Sequence, residues 1–208
     1  MKKFILNLIK FLFLPIFITS VLIYFYIYRD VYKDFYVYKN YSWKYSFQAL
    51  GDLSTKKLLN SKEKYNSFIF GSSRSVSVYG CYLQKKIKDS QFFHYGNWGE
   101  TVGGIYAKLR LLDSQGYNID NVFIYFDTDF TFAGDGKCRV NDHYLLTSQN
   151  RLSYYYDHFK TFLSNDDRFK IISGSKLSPL LYPNWKSDLF TNDSRHVCTD
   201  KVINQYGE

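Results

Sequence analysis

The segment SFIFGSSRS, residues 67–75, is the clearest indication of how the chain folds. It begins with a short apolar run typical of a buried strand, and the run breaks at Gly71, before small hydroxyl residues. Two further runs have the same form: QFFHYGNWGE at residues 91–100 and NVFIYFD at residues 121–127. Each ends in turn-forming or acidic residues. The sequence therefore predicts three short strands, each followed by small or polar side chains.

Helices are expected between these strands. Residues 101–115 predict a helix because Ile105 and Leu112 fall on one face, and Gly116 can terminate it. Residues 81–88 predict a shorter helix with a basic outer face. Strand, helix, strand, helix, strand is typical of an α/β domain with a parallel sheet, which binds ligands at the carboxyl ends of its strands.

Three polar segments would meet at that edge: GSSR at residues 71–74, GNWG at 96–99 and DTD at 127–129. Ser73 fits the role of a nucleophile, which needs a base and an oxyanion hole. Gly99 could supply a backbone N–H group. Farther along, residues 152–163 predict a helix, residues 169–172 a fourth strand and residues 179–187 a loop, followed by a polar tail.

Asn97 and Thr128 are candidate side-chain donors to the same oxyanion. Of the histidines, His94 is expected to pack on the second strand. His143 and His158 are poorer candidates for a base than the histidine of a later Asp-x-x-His sequence, described below.

These residues resemble the conserved blocks of the SGNH (GDSL-like) hydrolases, in the GSS variant of envelope-associated members. The resemblance implies a three-layer flavodoxin-like parallel sheet, with Ser73 as nucleophile and the amide of Gly99 in the oxyanion hole. The third block of the family is normally Gly-x-Asn-Asp, whereas residues 126–129 read FDTD, without the glycine and the oxyanion asparagine. Thr128 would offer a hydroxyl where the family has an amide.

The last block of the family, Asp-x-x-His, supplies the base and the acid that orients it. Asp193 and His196 have this spacing, and the resemblance assigns them those roles. No metal, cofactor or nucleotide is implied, and no GxGxxG or Walker A pattern occurs. A chain ending at Glu208 is short for this fold, so we expect either a truncated product or a compact version without the usual base.

An apolar run, FLFLPIFITSVLIYFYIY, precedes the domain; it begins at Phe11 and ends at Tyr28. It would extend about 27 Å as a helix, close to the hydrocarbon thickness of a bilayer. A cleaved signal peptide is the alternative, but no small-x-small site follows the run. We therefore expect an uncleaved anchor in the lipid bilayer of the cell membrane. The expected orientation has a cytoplasmic N-terminus and the domain outside, although the flanking basic residues barely favour either side.

The predicted organisation is a tail and anchor at residues 1–29, a juxtamembrane connector at 30–64 that contains one helix, and an SGNH-like domain at 65–208. The 27 Lys and Arg against 19 Asp and Glu lack a long basic run, so a nucleic-acid role finds little support. The three cysteines have no metal-ligand spacing and leave room for one disulfide bridge.

Three functions remain open, of which the third is an adaptor whose anchor and basic surface matter most. The resemblance implies a serine esterase or O-acyltransferase that acts on cell-envelope polysaccharide. The alternative is a catalytically inactive anchored protein that binds a glycan or a protein partner in the same cleft, which the altered third block favours.

Overall fold

The structure, a computed structural model, describes residues 2–38, 50–78, 80–97, 99–127, 131–132 and 143–164. It is an α/β protein with a small sheet of three parallel strands in the order β2-β1-β3. The strands are β1 (Ser67–Gly71), β2 (Phe92–His94) and β3 (Asn121–Tyr125). All three lie within the predicted segments. The central strand, β1, has a neighbour on both edges and is buried at all five residues.

Most of the helices also follow the sequence patterns, whereas α5 was not predicted. They are α1 (Lys2–Arg29), α2 (Leu50–Asn60), α3 (Gly80–Lys86), α4 (Val102–Ser114), α5 (Tyr144–Thr147) and α6 (Arg151–Ser164). The predictions for α3, α4 and α6 are confirmed, with ends shifted by one or two residues. The predicted fourth strand, loop and polar tail at residues 169–208 lie outside the described residues.

The main core is an aromatic layer on one face of the sheet. Alternate residues of β1, Phe68 and Phe70, point to this face, and Phe93 and Tyr95 join them from β2 and the residue that follows it. Helix α4 covers the layer. The remaining buried members are Ile105 and Leu112 from α4, Tyr65, and Leu58 from α2.

Helix α1 is long and apolar enough to cross a membrane, and most of its length is exposed. It begins before the predicted apolar run and continues through Pro15. Its last turn is different, because Tyr26 packs against Phe159 and Phe162 of α6. Together with Val31 and Tyr32, these side chains form a second core. The C-terminal end of α1 is therefore packed against the folded domain.

Candidate functional site

The segments expected to converge follow neighbouring strands. The N–H of Asn97 donates to the carbonyl of Gly71 over 3.1 Å, and Gly71 is in register with Tyr125 of β3. Glycine is required at position 71, because a Cβ atom there would lie 2.6 Å from the Cβ of Ser75 and 2.9 Å from that of Tyr125. The residues after β1, β2 and β3, including Asp127, consequently lie at the same edge of the sheet.

A 3₁₀ turn, Ser73–Ser77, follows β1. The hydroxyl of Ser72 caps it by accepting from the N–H of Arg74 over 3.3 Å, and the carbonyl of Ser72 accepts from the N–H of Ser75. Ser73 is the first residue of this turn and is half-buried. Its hydroxyl forms no hydrogen bond in the described part of the chain, so it is available at the sheet edge.

Asp127 connects the end of β3 to the turn after β1. Its carboxylate accepts from the Ser72 hydroxyl over 3.0 Å and from the Arg74 guanidinium over 3.1 Å. The side chain of Asp127 is only 1% exposed, whereas that of Arg74 is 58% exposed. Both bonds compensate for burying a carboxylate. Ser72 is therefore a structural residue. The exposed guanidinium of Arg74 places a positive charge on the residue next to Ser73.

The residues after β2 provide the other predicted donors. Asn97 is buried, with 2% exposure, and Gly99 is half-buried with a φ of +60°, a conformation that glycine adopts without strain. The structure thus places Gly99 and Asn97 beyond β2, on the sheet edge where Ser73 follows β1.

A buried ion pair holds this segment against α4. The ammonium of Lys108 contacts the carboxylate of Glu100 and donates to the carbonyl of Tyr95 over 3.2 Å. Glu100 also accepts from the N–H of Thr101, whose hydroxyl caps α4. Sequence reasoning missed this pair. The available signal was a lysine on the same helix face as the apolar residue Ile105.

His94 packs at the end of β2, as expected. Its Nε2 lies 3.0 Å from the carbonyl oxygen of Ser75 and 3.1 Å from the Ser75 hydroxyl. A carbonyl oxygen only accepts, so Nε2 carries the proton. The Ser75 hydroxyl donates to the carbonyl of Ser72 over 2.6 Å. Burial lowers the pKa of His94 to about 4. Ser75 and His94 therefore do not form a nucleophile–base pair.

The two other histidines in the described residues belong to a different region, near the end of α1. His158 Nδ1 lies 2.7 Å from a carboxylate oxygen of Asp34. Burial lowers the pKa of His143 to about 3. Thr128, Asp193 and His196, the remaining predicted site residues, lie outside the described residues, and their assignment stays a prediction.

Comparison of the chain with protein-family models, with curated proteins and with solved structures finds no match. The arrangement of the strand ends is therefore the basis for any functional proposal.

Proposed function

We propose that the chain is a single-pass membrane protein whose SGNH-like domain, a three-layer flavodoxin-like sheet, lies outside the cytoplasm and removes or transfers O-acyl groups on cell-envelope polysaccharide. The strand order β2-β1-β3 supports the fold, because flavodoxin-like sheets begin 2-1-3. The glycine that ends β1 and the serine after it support the resemblance to the family.

The observation that carries this proposal is the hydroxyl of Ser73 at the sheet edge, which forms no hydrogen bond with the described residues. In the proposed mechanism, Ser73 attacks an ester carbonyl while the base takes the hydroxyl proton. The ester C–O bond then breaks, and the base returns the proton to the departing polysaccharide hydroxyl. Water or an acceptor hydroxyl, deprotonated by the same base, attacks the acyl-serine, which releases the acyl group and restores Ser73. His196 is that base and Asp193 orients it, on the strength of their spacing. The amide of Gly99 stabilises the oxyanion, with Asn97 or Thr128 as a further donor.

Helix α1 and one disulfide bond support the location. The apolar span from Lys10 to Arg29 has the length of a membrane anchor. Cys81, in α3, is disulfide-bonded, and its partner lies outside the described residues. Disulfide bonds persist chiefly in oxidising compartments. A domain outside the cytoplasm is consistent with both features.

The test is covalent labelling of the purified full-length protein, in mild detergent, with a serine-directed fluorophosphonate. Labelling is expected for the wild type and for Ser77→Ala, and it is expected to disappear in Ser73→Ala. Ser77 is the matched control, since it is the last residue of the same turn and donates only to the carbonyl of Arg74. Circular dichroism of all three proteins checks that they are folded.

The alternative function is binding without catalysis. The Asp127 carboxylate favours it, because Asp127 follows β3 in the altered third block and is engaged by Ser72 and Arg74. The alternative would be supported if folded wild-type protein is not labelled by the fluorophosphonate but binds acidic or neutral envelope glycan. That result would contradict the proposed enzymatic activity.

A further inference from the structure

A second polar region lies away from the strand ends, where the chain leaves α1. It is a cavity of about 270 Å³ between the segment after α1, α2 and the α5–α6 region. The charged side chains that line it are three cations, Lys33, Lys56 and Arg151, and one carboxylate, Asp34. His143 also lines the cavity. Burial lowers its pKa to about 3, so its side chain is neutral at neutral pH.

Lys56 is already neutralised. Its ammonium lies 2.6 Å from a carboxylate oxygen of Asp34 and 2.5 Å from one of Asp52, and it donates to the carbonyl of Tyr32. Burial alone would lower the pKa of Lys56, but the two carboxylates outweigh burial and raise it. Asp52 also accepts from the hydroxyl of Tyr154 over 2.6 Å. This group joins the segment after α1 to α2 and α6.

The carboxylate of Asp30 is also fully engaged. It accepts from the N–H groups of Asp34, Phe35 and Tyr36, and from the hydroxyl of Tyr38. These four bonds fold the segment after α1 into a compact turn. The other carboxylate near Lys33 in sequence, that of the adjacent Asp34, contacts Lys56 and His158.

Lys33 and Arg151 are different, because neither forms a salt bridge within the described residues. Lys33 is 8% exposed, and its ammonium lies 3.9 Å from the centre of the Tyr38 ring. Arg151 is exposed and lies over the ring of Tyr155. Burial lowers the pKa of Lys33, although the Asp30 carboxylate attracts the Lys33 ammonium without forming a salt bridge. An anion in the cavity would offset this cost of burying the ammonium.

The cavity lies close to the proposed membrane surface. Lys33 is four residues beyond Arg29, the last residue of the apolar span, so the chain between them reaches at most about 14 Å. On the other wall, α6 contributes Tyr155 to the cavity and Phe159 to the contact with Tyr26 of α1. Tyrosine side chains are favoured at the headgroup level of a bilayer.

Exposed apolar side chains lie beside the cavity. Val37, which lines it, is 72% exposed, and Leu152, next to Arg151, is 79% exposed. Such side chains suit the boundary between headgroups and acyl chains.

We propose that this juxtamembrane cavity binds the phosphate of an anionic phospholipid, with Lys33 and Arg151 as its cationic ligands. The proposal rests on the membrane anchoring proposed above. It adds a lipid-binding site that is separate from Ser73. Bound lipid would fix the height and orientation of the domain over the bilayer, because α6 both lines the cavity and packs against the end of α1.

The test is native mass spectrometry of the full-length protein in mild detergent, titrated with phosphatidylglycerol or phosphatidylcholine. Wild type is expected to bind phosphatidylglycerol more tightly. Arg151→Gln and Lys33→Gln are each expected to weaken that binding about fivefold, the effect of one lipid-facing charge. Arg151 is exposed, so its variant should fold even if Lys33→Gln does not. The control is Lys85→Gln, an exposed lysine on α3.

Equal binding of both lipids, or equal binding by wild type and Arg151→Gln, would overturn the proposal. Inorganic phosphate identifies the source of the ligand. If millimolar phosphate displaces bound phosphatidylglycerol, the site recognises the lipid through its phosphate, as proposed. If the protein binds phosphate but forms no lipid adduct, the ligand is not a lipid and the proposal is wrong. Carbonate extraction of membranes separates the two proposals: wild-type protein released by carbonate contradicts the anchor itself, and retained protein does not.

Discussion

Among the single residues at the strand ends, His94 has the most strongly altered acid–base behaviour. Burial lowers its pKa from 6.5 to about 4, although the bond to the carbonyl of Ser75 acts in the opposite direction. His94 is therefore protonated near pH 6.5 in the unfolded chain, but only near pH 4 in the folded chain. The contribution of His94 to stability is complete above pH 6.5 and is lost as the pH falls towards 4.

We expect His94→Gln to make stability less dependent on pH. The Gln amide can still donate to the carbonyl of Ser75, but it does not titrate. Between pH 7.5 and pH 5, the free energy of unfolding of the wild type should fall by about 2 kcal/mol more than that of the variant. Denaturation followed by circular dichroism measures this difference. Equal losses in the two proteins would mean that the folded wild type protonates His94.

At the scale of elements, local patterns were sufficient to find the strands and most helices. The apolar run before Gly71 identified β1, and the spacing of Ile105 and Leu112 identified α4. The patterns also placed Ser73 and Gly99 after neighbouring strands. The patterns did not predict the hydrogen bond between Ser72 and Asp127. That contact joins two loops that are distant in sequence, and it depends on the conformation of both loops.

The docking of α6 on α1 was also invisible in the sequence. The period of residues 151–164 predicts a helix with an apolar face, but it does not say what covers that face. In the structure, Phe162 of α6 is fully buried and packs against Tyr26 of α1. This contact joins residues more than a hundred positions apart, and no local propensity encodes it.

We expect Phe162→Ala to lower the free energy of unfolding by about 3 kcal/mol, because it leaves a cavity between α6 and α1. Tyr156→Ala is the control on the same helix, since Tyr156 is 64% exposed and should cost less than about 0.5 kcal/mol. Thermal unfolding in detergent micelles compares the variants. Similar losses for both would show that α6 does not pack on α1 in solution.

At the scale of the whole molecule, the apolar helix and the domain form one connected structure. The second core combines Tyr26 from α1 with Phe162 from α6, and the polar group around Lys56 ties the intervening turn to α2. Helix α1, the proposed anchor, is therefore packed against the domain as well as connected to it by the chain. It would hold the edge of the sheet that carries Ser73 at a defined position relative to the bilayer.

The cysteines provide a test of the proposed side of the membrane. The chain has three, and Cys81 is disulfide-bonded. If the domain lies in an oxidising compartment, a maleimide polymer should label one cysteine of the denatured full-length protein before reduction and three afterwards. Cys81→Ser should show two labels before reduction, because its former partner becomes free. Three labels on unreduced wild-type protein, prepared with thiols trapped at lysis, would instead place the domain on the reducing, cytoplasmic side and contradict the proposed orientation.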